Sequence, residues 1–352
     1  MRKVEVNVSK QYSILIASGL MSKAGDILRT LCPHVKRLAI VTDEHVAALY
    51  LAQVTATLEA AHFQVISHII PAGEASKNAE QFFNIHEWLG ENKITNKDVI
   101  LAFGGGVVGD ITGFVASTHL DGIPYVQMPT SLVAMTDSSV GGKTAIDLRA
   151  GKNLAGSFYQ PLGVLCDVDT LNTLPTHVFC EGMAEVIKHG MIRSADLLTK
   201  INQPMEGMME EIVAENVTIK RDIVQKDEFD RGERQLLNLG HTVGHAIETL
   251  ANYKISHGHA VAIGMVIETR AAVKKNLCPP ECLAMLIELL ERYALPTKTN
   301  YTAEELFEAA LHDKKLMGGT IALAVPRAIG DCELMQISAS ALQDWIASGL
   351  ET

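Results

Sequence analysis

Four short apolar runs recur between residues 37 and 171, RLAIVTDEHV (37–46), DVILAFGGG (98–106), IPYVQMPTS (123–131) and GVLCDVDTL (163–171), and each breaks into a turn. The segments between them carry helical periodicity. Continuous apolar runs are strands buried on both faces, and helical connections between such strands build a mostly parallel sheet covered by helices. The N-terminal MRKVEVNVSKQYSILI alternates like a further strand. From about Leu174 the strand signals stop and long helical patterns take over, as in HVFCEGMAEVIKHGMI and GMMEEIVAENVTIKRDIVQKDE. A chain of 352 residues is long for one hydrophobic core. The predicted fold class is therefore α/β: an N-terminal α/β domain over 1–173, followed by a mostly helical domain over 174–352.

Charge narrows the partners. With 41 acidic residues against 30 basic ones, the net charge of −11 disfavours nucleic acid and anionic lipid. Any anionic ligand needs a local cluster of cations. The N-terminus shows no signal-peptide pattern, and no apolar run reaches about 18 residues, so a cytoplasmic protein without membrane association is expected. The six cysteines, Cys32, Cys166, Cys180, Cys278, Cys282 and Cys332, form no disulfide-like framework and read as inert thiols.

Three stretches carry chemistry. In FGGGVVGD, Gly104, Gly106 and Gly109 fit G-x-G-x-x-G between a strand and a helix, where backbone N–H groups can approach a pyrophosphate. A plain tight turn fits as well, although Asp43, closing an earlier strand, could reach a ribose hydroxyl. DSSVGGKTAIDLRAGKN (137–153) fails the P-loop spacing because Asp137 stands where its first glycine must be. ATP hydrolysis is not expected there, and Lys143, Lys152 and Asn153 remain as polar groups in glycine-rich turns. In RQLLNLGHTVGHAIE, Arg234, Asn238, His241, His245 and Glu248 fall within an arc of about 80° if one helix runs through them. Gly240 and Gly244 would break that arc if they delay the helix. Glu185 lies one helical turn from Lys188, and His257 and His259 sit at i,i+2. A divalent site built from two or more of these groups is as far as spacing goes.

The ordered motifs PAGEASKN, GGGVVGDITGFVAST, QMPTSLVAMTDSSVGGKTAIDLRAGKNLAGSFYQP, GMAEVIKHG, RQLLNLGHTVGHAIE, HGHAVAIGM and HDKKLMGG resemble the 3-dehydroquinate synthase family of sugar phosphate cyclases over roughly residues 40–330. The resemblance implies a Rossmann-like NAD-binding first domain and a second domain for metal and substrate. It implies zinc, with cobalt as the alternative, held by Glu185, His241 and His257. His245 would serve the substrate phosphate and proton transfer, and His259 stands where the family usually has Glu, outside the ligand set. NAD-contacting positions would be Asp43, Glu74, Lys77, Gly105, Gly106, Val107, Val108, Gly109, Asp110, Thr130, Ser131 (usually Thr), Lys143 and Lys152. Active-site positions would be Asp137, Lys143, Asn153, Lys188, Lys220, Arg234, Asn238, His245 and Lys314, with Lys315 as the alternative to Lys314. Lys220 and Arg234 would pair with a substrate carboxylate, and Lys143 and Asn153 would help hold phosphate.

The implied reaction is a lyase step of the shikimate pathway to aromatic amino acids, carried out by a homodimer. A heptulosonate phosphate is transiently oxidised by NAD, loses phosphate, is re-reduced and closes by an intramolecular aldol step. A related cyclase acting on another sugar phosphate, or a polyol dehydrogenase of the same superfamily, are the alternatives. One departure stands out: where the family often has Y-x-R-G, reaching a neighbouring subunit's phosphate, this chain has His119 and Asp121.

Overall fold

The computed structural model describes residues 1–311 and 319–350. It divides into two compact units, one made of Met1–Leu174 with Met209–Arg221, the other of Pro175–Met208 with Asp222–Thr352. The segment Met209–Arg221 thus packs with the first unit, although its place in the chain puts it in the expected second domain.

The first unit is built on a seven-stranded sheet. Its strands are β1 (Arg2–Val6), β2 (Tyr12–Ala17), β3 (Arg37–Asp43), β4 (Gln64–Ile70), β5 (Val99–Gly104) and β6 (Tyr125–Pro129). A hairpin of β7 (Lys143–Leu148) and β8 (Gly151–Phe158) follows as a separate two-stranded sheet, and β9 (Gly163–Asp167) returns to the main one. The strand order is β1-β2-β9-β6-β5-β3-β4, all parallel except the β1–β2 pair. All four apolar runs of the sequence became central strands, β3, β5, β6 and β9. Period-two alternation sorts their side chains between two cores. Leu38, Ile40, Val99, Leu101 and Phe103 pack with Leu28, Val54 and Leu58 of the helical residues on one face. Ala39, Val41, Ile100 and Ala102 pack with Phe82, Ile85, Ile111 and Val115 on the other.

This topology fixes a crevice. The chain leaving β3 goes outward to β4, whereas the chain leaving β5 goes the opposite way to β6, so the order reverses between β3 and β5. Ligands of open α/β sheets bind beyond the carboxyl ends of the strands at such a reversal.

The second unit is helical, with helices Thr176–Arg193, His241–Leu250 and His257–Lys274 carrying most of its buried polar groups. It also holds strands that the sequence reading did not anticipate, the antiparallel pair β10 (Thr320–Ala328) and β11 (Asp331–Ser338). Among the described residues no helix is long and apolar enough to cross a membrane.

Candidate functional site

In the first unit the carboxyl ends of the strands collect the expected dinucleotide positions. Asp43 ends β3, Gly104 ends β5, and Thr130 and Ser131 follow β6. Gly105 precedes the helix Gly106–Thr118 without a side-chain cap, leaving the first-turn N–H groups for an anion. The glycines divide by what surrounds them. A Cβ on Gly104 would lie 2.7 Å from Val108 Cγ2, and one on Gly109 would lie 2.8 Å from Gln127 Oε1. Those two are small because the protein packs against them. A Cβ on Gly105 would meet only Ser131 Oγ at 3.6 Å, and one on Gly106 would meet Ser138 Oγ at 3.3 Å. Internal packing makes no such demand at Gly105, so its missing side chain suits a ligand that approaches the backbone closely.

A charged cluster lies on the same unit. Lys77, itself buried, donates to Asp110 Oδ2 at 2.8 Å and lies 3.7 Å from Glu74 Oε1, which is also 3.7 Å from Lys152 Nζ. Burial works against the Lys77 ammonium, but Asp110 and Glu74 more than offset it and hold its pKa above lysine's ordinary value. Burial pushes the Asp110 carboxyl up, against the pull of Lys77. Asp43 accepts from the backbone N–H of His45 and Val46 at 2.9 and 3.0 Å, which caps the following helix and fixes the carboxylate at the strand end. Buried Lys220 pairs with the Asp137 carboxylate and donates to its carbonyl at 2.5 Å.

The hairpin register separates two expected phosphate partners. Lys143 pairs with Phe158 at one end, while the Asn153 N–H donates to Asp147 near the other. Four residues of strand, about 13 Å at roughly 3.3 Å per residue, separate Lys143 from Asp147 along β7. Asp147 in turn donates its own N–H to the Lys77 carbonyl.

In the second unit three helices bring Glu185, His241 and His257 together, with one ligand atom from each lying within 4.8 Å of the others. His241 Nε2 is 3.6 Å and His257 Nε2 3.3 Å from Glu185 Oε1, while Lys188 pairs with Oε2 of the same fully buried carboxylate. The other ring nitrogens are also held. His241 Nδ1 lies 3.2 Å from the Leu239 carbonyl, and His257 Nδ1 lies 3.3 Å from Glu248 Oε2. With each Nδ1 placed to donate outward, each Nε2 lies on the Glu185 side, where it would turn to a metal ion once its proton is lost. The donor set of one carboxylate and two imidazoles suits a zinc-like divalent ion with room for an exchangeable ligand. Burial holds the His241 pKa well below histidine's usual value, with Lys188 adding to the effect. For His257 burial acts the same way, but the hydrogen bonds to Glu185 and Glu248 outweigh it and raise the pKa to about 10.

His245, Glu248 and His257 form a second possible trio. It shares His257 with the first trio, in which both imidazoles lie beside one oxygen of Glu185. His259 belongs to no such trio among the described residues.

Glycines set this geometry. Gly240, at φ +79°, starts the helix His241–Leu250 in a left-handed turn, and a Cβ on Gly264 would lie 2.0 Å from the Gly240 carbonyl. The two histidine-bearing helices can approach because both positions lack side chains. The left-handed turn also corrects the expected stripe, because Arg234 and Asn238 lie in a short 3-10 turn, Glu233–Asn238, ahead of the helix. Arg234 is buried there, its N–H donating to Asp227 Oδ2 at 3.1 Å and its Nη1 to the Glu228 carbonyl at 2.5 Å. Asp227 is a supporting residue that sequence reasoning did not name, whereas Glu248 stood in the stripe without a role of its own and lies behind the His257 ring. Asp121 is exposed at a turn with φ +64°. Lys314 and Lys315 lie outside the described residues.

Residues 67–181 match the family described as 3-dehydroquinate synthase N-terminal, and residues 182–316 match 3-dehydroquinate synthase C-terminal. A 3-dehydroquinate synthase from Streptococcus suis is 44% identical over 344 residues, covering 95% of this chain and 97% of that protein. Among solved structures, a 2-deoxy-scyllo-inosose synthase complexed with carbaglucose-6-phosphate, NAD+ and Co2+ superposes with a TM-score of 0.88 at 21% identity, covering 99% of this chain and 100% of that one. A 2-epi-5-epi-valiolone synthase from Streptomyces hygroscopicus with NAD+ and Zn2+ bound gives 0.87 at 24% identity, covering 99% of each chain. At these identities the two structures share the fold with this chain.

Proposed function

The chain belongs to the 3-dehydroquinate synthase family, and from that premise we propose that it converts 3-deoxy-arabino-heptulosonate 7-phosphate to 3-dehydroquinate and phosphate. The observation that most supports this reading is the convergence of Glu185, His241 and His257 with their outward hydrogen bonds to Leu239 and Glu248. When bound, NAD would supply reversible hydride transfer and the divalent ion, zinc or cobalt, would supply Lewis acidity toward the substrate oxygens.

The chain's own residues do the rest. Gly105, Gly106 and the helix start behind them would receive the dinucleotide pyrophosphate, with Asp43 at the ribose and Thr130 and Ser131 lining the backbone approach. Glu74, Lys77, Val107, Val108, Gly109, Asp110 and Lys152 complete that surface. Lys220 and Arg234 would neutralise a substrate carboxylate, Asp137 holding Lys220 until substrate arrives. His245 carries a titratable nitrogen beside the metal ligands, its ring centroid 5.4 Å from that of His241, and would move a proton at the phosphate-bearing end. Lys188 would keep Glu185 oriented. A homodimer in the cytoplasm is the assembly and compartment expected of this family.

The test is turnover of the purified protein with the heptulosonate phosphate and NAD. Phosphate and dehydroquinate should appear in equal amounts without net NADH. NADH formed in proportion to product would point to a dehydrogenase, and turnover confined to a sugar phosphate lacking a carboxylate would point to another cyclase.

A second expectation concerns pH. In the metal-free chain His257 keeps a proton up to about pH 10. A pKa raised above the free imidazole value means that this proton stabilises the metal-free fold fully below about pH 6.5, and that the contribution is lost as pH rises through 10. A metal ion must displace the proton. Its apparent affinity should therefore climb about tenfold per pH unit between pH 7 and 9, one proton being released per ion. Titration with cobalt(II) in buffered chelator reads the slope, and a flat profile would contradict the His257 assignment.

A further inference from the structure

The start of helix His241–Leu250 lacks its own cap. Gly240 has no side chain, and could not carry one, because a Cβ would lie 2.5 Å from Met265 Cγ and 2.7 Å from the Val261 carbonyl. The first-turn N–H groups of a buried helix still need partners. They find one on the neighbouring helix. Glu268, 1% exposed, accepts from the Gly240 N–H through Oε2 at 2.7 Å and from the Val243 N–H through Oε1 at 3.4 Å. The sequence shows how unusual this is: GHAVAIGMVIETRAAV is apolar almost throughout, yet the structure buries this carboxylate within it.

We infer that Glu268 is a positioning residue for the metal centre, acting through His241. On the metal reading above, Glu268 would act there in two ways. The first is geometric. His241 is the first residue of its helix, its backbone lies between the two N–H groups that Glu268 binds, and its Nδ1 is set against Leu239 on the other side of Gly240. Fixing Gly240 and Val243 therefore fixes where the His241 ring leaves the backbone. The second is electrostatic. His241 and His257 are each the first residue of a helix, and a helix N-terminus carries roughly half a positive charge. Two such ends beside a dication repel it. Glu248 offsets one of them by binding the His257 ring, and Glu268 offsets the other at its backbone. A neutral amide in its place would offer one acceptor oxygen instead of two and none of that compensation.

The test is cobalt(II) binding to the full-length protein, measured by competition with a chromophoric chelator, with dinucleotide affinity as the control. Glu268→Gln keeps the shape, removes the charge and leaves one acceptor oxygen for two N–H groups. It should weaken cobalt binding about tenfold, the lower end of what outer partners of metal ligands contribute, and alter the visible absorption of the bound ion. Affinity for NAD should move less than about twofold. Cobalt affinity within twofold of the parent would overturn the inference, and so would an equal fall in cobalt and NAD affinity, which marks general destabilisation. Should the glutamine variant fail to fold, Glu268→Asp keeps the charge but falls one methylene short of the Gly240 N–H. A threefold or larger loss of cobalt affinity there supports the role, and no loss overturns it. A parent protein that binds no cobalt would sink the metal reading and this inference together, whereas a cobalt-binding parent matched by its variants would sink this inference alone.

Discussion

His241→Ala and His257→Ala are expected to yield protein without bound divalent ion and with turnover reduced on the order of 10³-fold or more, about 4 kcal/mol of transition-state stabilisation. His245→Ala is expected to keep the ion and lose rate. The distinction follows from where the ring nitrogens point. Both Nε2 atoms of the first pair face one oxygen of Glu185, and removing either leaves two donors, too few to hold a divalent ion against water. The i,i+4 partner His245 shares the helix of His241 but is grouped with the Glu185 carboxylate in no such trio among the described residues. The competing geometry, His245 with Glu248 and His257, makes the opposite forecast: His245→Ala would lose the ion and Glu185→Gln would retain it. Elemental analysis of the four variants decides between them. A metal-replete His241→Ala protein would refute the arrangement argued above.

The parallel sheet was readable from sequence because strands buried on both faces leave unbroken apolar runs, and four such runs became β3, β5, β6 and β9. Half-exposed strands leave no such mark. The hairpin β7–β8 reads as glycine-rich turns because its second strand alternates intermediate and exposed positions without a buried face. The pair β10–β11 was missed because its small apolar residues and internal Pro326 suit no single period, and only the left-handed Gly330 between the strands signals a hairpin. The histidine stripe failed for a related reason: one left-handed glycine, Gly240, separates Arg234 and Asn238 from the helix that carries His241. The metal trio could not be read from spacing at all, because Glu185, His241 and His257 come from three helices and meet only in the tertiary fold. Family resemblance supplied that grouping, and the structure adds the contacts of Glu248 with the His257 ring and of Glu268 with the turn at Gly240.

Gly105→Ser should separate dinucleotide binding from stability. At φ −73° and ψ −170° this residue has a backbone that any L-amino acid adopts, and an added Cβ meets only Ser131 Oγ at ordinary contact distance. It also stands at the cap of helix Gly106–Thr118, where serine is a preferred residue and glycine a poorer one. The variant should therefore unfold within about 3 °C of the parent, since a change of at most about 1 kcal/mol moves the midpoint of a unit this size by only a few degrees. Its effect on the ligand should be much larger. The hydroxyl would take up a first-turn N–H that otherwise faces a pyrophosphate, and the Cβ would fill the gap through which the phosphate backbone approaches. Dissociation of NAD should rise about 100-fold, near 2.7 kcal/mol, as read by fluorescence or calorimetric titration. Gly104→Ala provides the contrast. Its Cβ is driven within 2.7 Å of the branched Val108 side chain, so it should destabilise the fold by about 1–3 kcal/mol through overpacking. If Gly105→Ser binds NAD within threefold of the parent while remaining folded, the turn after β5 is a structural feature and the dinucleotide lies elsewhere.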